Sequence, residues 1–246
     1  MFVLLLAASG LSSGTSESIS EMEIRGGRGM IHTVSVNTYE FAAEAVPPNL
    51  ADWAPDDDVA AVTTSIHEYD RNGWVLSEEL TVRGDEPYRF QRNCRPSRKF
   101  RRECSLKIPP DGIQFGTMTV ENDIPFGLRY LSRLDHDADA VNEYREWWDK
   151  DTHTIHSKSG IRRSSSILDV TGTRTRYLSP NGYVTAEVKQ EDGQPEVRFS
   201  YERLAVDAFG NATRMVQRQD PKFPDPRNPG TVRLNIVEFS YYEMPQ

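Results

Sequence analysis

Apolar and polar positions alternate along most of the chain with the two-residue period of an extended strand. Trp74, Leu76, Leu80 and Val82 fall on one face of one such segment, with Glu78 the single polar exception. Val184, Ala186 and Val188 share a face in another. Val197, Phe199 and Tyr201 share one in a third, after which Leu204 and Val206 take the opposite face. The last apolar run changes parity in the same way, from Val232, Leu234 and Ile236 to Val237, Phe239 and Tyr241. Such a switch implies a β-bulge or a strand that crosses between two sheets. Thr, Val and Tyr are frequent in these runs, as pleated packing requires.

Turn signals separate the runs. Asn72-Gly73, Asn181-Gly182, Asp192-Gly193 and Gly210-Asn211 are hairpin dipeptides, because Asn, Asp and Gly tolerate positive φ. Pro221, Pro224, Pro226 and Pro229 make Asp220 to Gly230 a stiff surface loop joining the last two strands. A second loop runs from Pro47 to Asp58. One helix is expected, capped by Asp137 and running from Ala138 to Lys150 with Val141, Tyr144 and Trp148 on one face. The fold expected is mainly β: an antiparallel meander of hairpins forming an open sheet, half-barrel or sandwich, with at most one or two short helices. Residues 21–246 are expected to form a single β-rich domain, with 1–20 a leader and N-terminal tail.

Composition sharpens this picture. A chain of 246 residues can bury a core, but only 37% of it is hydrophobic while 27% is charged. A sheet with one face in water suits so thin a core. The net charge of -8 argues against nucleic acid as a partner, since phosphate binding draws on a basic surplus. Phe2 to Leu6 is continuously apolar, small residues follow, and the chain turns polar at Thr15. This is the pattern of a secretory signal peptide lacking a basic start. Read so, the protein is expected in the periplasm or at the cell surface; an ordinary apolar strand at the N-terminus is the alternative. No run is long enough to cross a membrane as a helix, which needs ~20 apolar residues. Cys94 and Cys104 lack zinc-knuckle spacing and are candidates for a disulfide clipping a hairpin in an oxidising compartment, with buried thiols as the alternative.

Three segments share one local pattern: Tyr69-Asp70-Arg71-Asn72-Gly73-Trp74-Val75, Tyr177 to Val184 through Gly182, and Asp207 to Thr213 through Gly210. Each leaves a strand, turns, and enters another, as independent hairpins or as a repeated scaffold. They resemble the YD-type hairpin repeats of bacterial surface proteins. Together with Arg25-Gly26, the middle cysteine pair and the closing Tyr241-Tyr242, their order is similar to that of the YnfC-type family of envelope lipoproteins. That resemblance implies an envelope location and no assigned activity. The chain departs from it in lacking a cysteine after the apolar leader for lipid attachment.

Candidate chemistry is sparse. Arg89, Arg92, Arg95, Arg98, Lys99, Arg101 and Arg102 surround the cysteines and could clamp an anionic glycan, lipid head group or acidic partner; a solvated hairpin is the plainer alternative. Asp135, His136, Asp137, His153 and His156 lie in one region and are the weak metal candidates, without a known ligand spacing. No GxSxG elbow or GxxxxGK phosphate loop is present. Ser164-Ser165-Ser166 reads as a loop, and Arg25-Gly26-Gly27-Arg28-Gly29 as a turn admitting the first strand. Asn211-Ala212-Thr213 fits a glycosylation sequon or, equally, a turn. The expected function is a non-enzymatic structural or binding module of the bacterial envelope, monomeric and without cofactor, whose partner is an envelope protein or glycan. The alternative is a secreted hydrolase or metal-dependent enzyme using the Asp135 to His156 region.

Overall fold

The computed structural model describes residues 21–24, 27–56, 59–83, 88–98, 101–108, 113–124, 126–135, 137–163, 168–226 and 229–243. Among these, a helical turn, α1 (Glu21–Ile24), precedes fourteen strands: β1 (Ile31–Ala42), β2 (Thr63–Tyr69), β3 (Val75–Val82), β4 (Tyr88–Arg98), β5 (Arg101–Ile108), β6 (Ile113–Ile124), β7 (Gly127–Leu134), β8 (Asp137–Asp149), β9 (Thr154–Arg163), β10 (Asp169–Leu178), β11 (Val184–Glu191), β12 (Val197–Val206), β13 (Ala212–Gln219) and β14 (Thr231–Tyr241). Every strand pairs antiparallel with its sequence neighbours, and β14 pairs with β1 from Ile31↔Tyr241 to Ala42↔Thr231. The meander expected from the sequence is therefore a closed barrel and not an open sheet, half-barrel or sandwich. Closure gives the backbone of both terminal strands a partner and removes the exposed edges. The expected helix at Ala138–Lys150 is instead β8, paired to β7 and β9. Its aromatic residues suit pleated packing, and cross-strand bonds replace those a helix would make.

Alternation divides lumen from outer wall, and three parity readings are revised. Glu78, the apparent exception on β3, faces the lumen with Leu80 and meets Arg92. Register shifts beside Tyr69↔Val75 and Leu178↔Val184 turn Val75 and Val184 inward, while Ala186 and Val188 face outward opposite Tyr177 and Thr175. The switch in β12 is a bulge near Leu204, as expected. That in β14 is not: the strand pairs regularly through Ile236 and Val237. Both of its faces are apolar because each is covered by something different.

Outside, the segment after β1 folds back over the barrel. Its Val46, Leu50 and Trp53 cover Val216, Val232, Leu234, Ile236 and Phe41. Trp53 packs edge-on against Tyr39 and Phe41, and its carbonyl accepts a 2.6 Å hydrogen bond from Arg214. Inside, at the opposite end of β14, Val237, Phe239 and Tyr241 pack with Ile31, Val34, Val36, Tyr69 and Met22. Met22 belongs to α1, which sits within this end of the lumen and reaches β8 on the far wall.

This end is a floor. Both described termini and the turns after β2, β8, β10 and β12 meet there. The three similar sequence units have one geometry. Asp70, Ser179 and Asp207 each accept a backbone bond from the glycine three residues on, and each donates to the carbonyl four residues on. Gly73, Gly182 and Gly210 all have positive φ, the mark of a turn closing in a glycine bulge. The Asp70 and Asp207 carboxylates and the Ser179 hydroxyl also take the N–H of the residue entering the next strand. Asn211 then knots the floor: it exchanges hydrogen bonds with the Arg28 backbone and donates to Tyr241. It is fully buried, so the sequon reading fails in the folded protein.

Candidate functional site

Fourteen strands enclose more space than side chains alone fill. Above the floor, Trp74, Val120, Leu128, Ile155 and Val184 fill the lumen with apolar side chains. Next comes a layer of buried ion pairs. Arg92 bridges Glu21 at 3.0 Å and Glu78 at 2.9 Å, and a second Glu21 oxygen accepts the Val75 N–H. Arg176 pairs with Glu146, which also accepts from the Tyr144 hydroxyl. Nearer the floor, Arg102 pairs with the turn residue Asp70 at 2.8 Å and lies over the Trp74 ring. Charges survive here because each meets its opposite; alone, desolvation would neutralise them.

Over this layer lies a cavity of about 430 Å³. Its lumen-facing lining combines two aromatic residues, Tyr130 and Tyr144, with hydroxyls at Ser132, Ser157 and Ser159 and charges at Arg174, Lys189 and Glu191. The Ser157 hydroxyl is buried and has no hydrogen-bond partner. Arg174 lies 3.4 Å from Glu187, which accepts a 3.2 Å bond from Tyr201; Gln217 donates to that hydroxyl at 2.9 Å. Burial, reinforced by the Glu187 carboxylate, pushes the Tyr201 hydroxyl well above its ordinary pKa. Burial disfavours the Arg174 charge, but Glu187 together with Tyr144, Tyr201 and Glu191 outweighs it and holds the guanidinium protonated. The cavity offers both signs of charge beside aromatic faces, and its volume lies in the small-molecule range of roughly 300–1,000 Å³.

The outer wall is charged along most of its circumference. Glu68, Glu79, Arg95, Glu103, Glu121, Arg129, Arg145, Lys158, Arg198 and Glu202 all point outward by register. The densest cluster surrounds Glu143, which Arg145, Arg162 and Arg129 approach at 2.5, 2.8 and 3.1 Å. Burial alone would raise its pKa; the three guanidinium groups outweigh that and pull it to about 2.

The basic stretch singled out in the sequence does not act as one surface. Strand alternation sends Arg92 and Arg102 into buried lumenal pairs, while Arg95 and Arg101 face outward near Glu103 and Glu121. Lys99 and the side chains of Arg89 and Arg98 lie outside the described residues. Cys94 and Cys104 are bonded across directly opposed positions of β4 and β5. The metal candidates do not converge. Asp135 adjoins one end of β8, whereas His153 and His156 lie toward the other, on the order of 40 Å along the strand. His156 is held by Thr154 and Thr175 and stacks on Trp147. Among the described residues no three His, Cys, Asp or Glu side chains are grouped to hold a metal. His136, Arg25, Gly26, Ser164, Ser165, Ser166 and the leader lie outside the described residues. The lumenal residues Arg174, Arg176, Glu146 and Glu187 escaped the sequence reading because they sit singly among ordinary strand residues. Their one signal is a charge at an alternating position that should be apolar.

No family model matches the chain, and no curated protein matches it. A solved structure, that of a porin-like protein from Bacteroides uniformis, aligns over 87% of this chain and 98% of that one, at 9% identity and a TM-score of 0.39. A likeness of that degree carries no functional argument. No helix among the described residues is long and apolar enough to cross a membrane, which says nothing about strands.

Proposed function

We propose that the protein is an exported, non-enzymatic binding module of the bacterial envelope, a water-facing barrel that holds a small, hydroxylated and ionised ligand in its lumen. The cavity of about 430 Å³ carries this reading. Rigid strands hold its aromatic faces, hydroxyls and paired charges in place, which lowers the ordering cost of binding a polar molecule. The outer wall supports the water-facing part. An Arg or Lys on the lipid face of a barrel costs about 2–4 kcal/mol at the bilayer midplane, and the wall carries many. Its main apolar area, on β13, β14 and β1, is already covered by the chain's own Leu50 and Trp53. The leader-like residues 1–20 and the disulfide support export.

The test is expression in a Gram-negative host with the native first 20 residues, then fractionation, detergent phase separation and calorimetric titration with mono- and disaccharides and amino sugars. The expected protein is periplasmic or surface-located, partitions into the aqueous phase, and binds one compound class saturably. Ser159→Trp, which fills the cavity from β9, abolishes that binding. Cytoplasmic retention removes export, partition into detergent removes the water-facing wall, and the absence of saturable binding across the panel removes the lumenal site.

A further inference from the structure

Strands β8 to β11 carry one row of lumenal side chains across the wall of the cavity. Register places Glu146 opposite Ser157, Ser157 opposite Arg174, and Arg174 opposite Lys189. All four line the cavity. Ser157 is only 3% exposed, and its hydroxyl has no hydrogen-bond partner. Arg174 meets Glu187 through Nε at 3.4 Å, and neither of its Nη nitrogens has a hydrogen bond among the described residues. On the same face of β10, one step nearer the floor, Arg176 is fully buried. Its Nη2 meets Glu146, while its Nε and Nη1 have no partner. The carboxylates nearby are each matched to a cation: Glu146 to Arg176, Glu187 to Arg174, and Glu191 to Lys189. The buried groups left over here are O–H and N–H donors. A buried donor without an acceptor costs free energy that a bound acceptor returns.

We infer that the lumenal ligand is a sugar acid whose carboxylate is held by Ser157 and Arg174. This rests on the lumenal site proposed above and names its ligand class. A carboxylate supplies the acceptor that both donors lack. The planar Arg174 fork gives it two parallel hydrogen bonds, and the Ser157 hydroxyl a third. The two positions are directly opposed, so their Cα atoms are ~5 Å apart and one carboxylate reaches both. An ammonium group is less well served, because the carboxylates it needs are already paired with Arg176, Arg174 and Lys189. The rest of the ligand meets the neighbouring strands. Tyr130 and Tyr144, directly opposed on β7 and β8 with ring centres 5.5 Å apart, line the same cavity. Tyr144 opposes Ser159, the next lumenal residue after Ser157, so the aromatic strand lies one strand spacing, ~4.8 Å, from the strand of the serine donor. A pyranose ring presents a C–H face to such aromatic side chains while its exocyclic carboxylate reaches β9 and β10. Ser132 on β7 and Ser159 on β9 add hydroxyls on either side of β8.

The test is calorimetric titration of the isolated protein with galacturonate, glucuronate, galactose and galactosamine. Wild type binds at least one of the two acids saturably, and binds galactose and galactosamine at least about tenfold more weakly, the difference one charge-assisted contact makes. Ser157→Ala removes a hydroxyl that holds nothing in the fold. Its thermal midpoint stays at or above that of wild type, while the acid binds at least about threefold more weakly. A merely structural serine gives the reverse, a lowered midpoint and unchanged affinity. Arg174→Gln weakens the acid by about tenfold or more and removes its advantage over galactose. If that variant loses its β-sheet circular dichroism, Ser157→Ala alone decides. Arg198→Ala, which removes an outward arginine on β12, leaves binding within about twofold of wild type. Galactose or galactosamine bound as tightly as the acids overturns the proposal and leaves the lumenal site standing. Undiminished acid binding by Ser157→Ala overturns it too. The absence of binding by all four sugars removes the site and the inference together.

Discussion

Replacing Glu143 by Gln tests how the outer wall tolerates its own arginines. The side chain is buried beneath Arg129, Arg145 and Arg162, and its carboxyl is pulled from an ordinary 4.5 to about 2. Each pKa unit corresponds to 1.36 kcal/mol, so a shift of about 2.5 units has an upper value near 3 kcal/mol. The guanidinium groups are partly open to water, and screening reduces the figure to about 1–3 kcal/mol. Because the folded pKa is the lower one, this stability is fully present above about pH 4.5. It falls away as pH drops toward 2. Glu143→Gln should therefore be about 1–3 kcal/mol less stable than wild type in urea at neutral pH, and the gap should shrink toward zero near pH 2. The remaining carboxylates titrate alike in both proteins, so the difference isolates this one. Equal stability at neutral pH, or a gap unchanged on acidification, would falsify the account of Glu143 as the neutralising centre of its three arginines.

Four further outcomes follow from the packing. Reduction of Cys94–Cys104, ten residues apart, should cost about 2–3 kcal/mol in the chain-entropy model while leaving the far-ultraviolet spectrum β-rich; urea unfolding with and without reductant measures it. Gly193→Ala adds only the strain of a positive φ, about 1 kcal/mol, because its new methyl meets nothing within 4 Å. Gly210→Ala should cost more, since its methyl would also lie 3.0 Å from Arg28 Nη1 and 3.2 Å from the Tyr183 hydroxyl; paired unfolding curves compare the two. Glu21→Gln removes one of two carboxylates facing Arg92 and should destabilise by about 2 kcal/mol, with proteolysis beginning at the N-terminal segment. Leu50→Ala should cost about 2–3 kcal/mol and increase dye binding to the uncovered wall of β13 and β14; unchanged dye binding counts against the covering role of Val46, Leu50 and Trp53.

Much of the local architecture was legible in residue order. Asn72-Gly73 and Asn181-Gly182 mark tight turns because glycine alone enters the positive-φ position without a Cβ penalty. The proline-rich segment from Asp220 and the bulge near Leu204 were readable for the same local reason. The charged lumen was harder to see. Glu78 registered as a lapse in an apolar face because its partner Arg92 lies on the next strand and Glu21 lies far away in sequence. The basic run around the cysteines misled in the opposite sense. Its residues are close along the chain, but the pleat turns alternate ones to opposite sides of the wall.

Strand character outside β8, the turn positions and the opportunity for a Cys94–Cys104 clip were legible in residue order alone, because each depends on residues close along the chain. Tertiary structure decided that β14 meets β1 and closes the barrel. It also decided that Val232 and Val237 can both be buried while pointing to opposite faces. Closure depends on register and twist accumulated over fourteen strands, and burial of both faces depends on covers supplied by α1 and by Val46, Leu50 and Trp53. The lumenal ion pairs and the outer Glu143 cluster belong to the same class. Their members sit one or two to a strand, and only the cross-strand register brings them together.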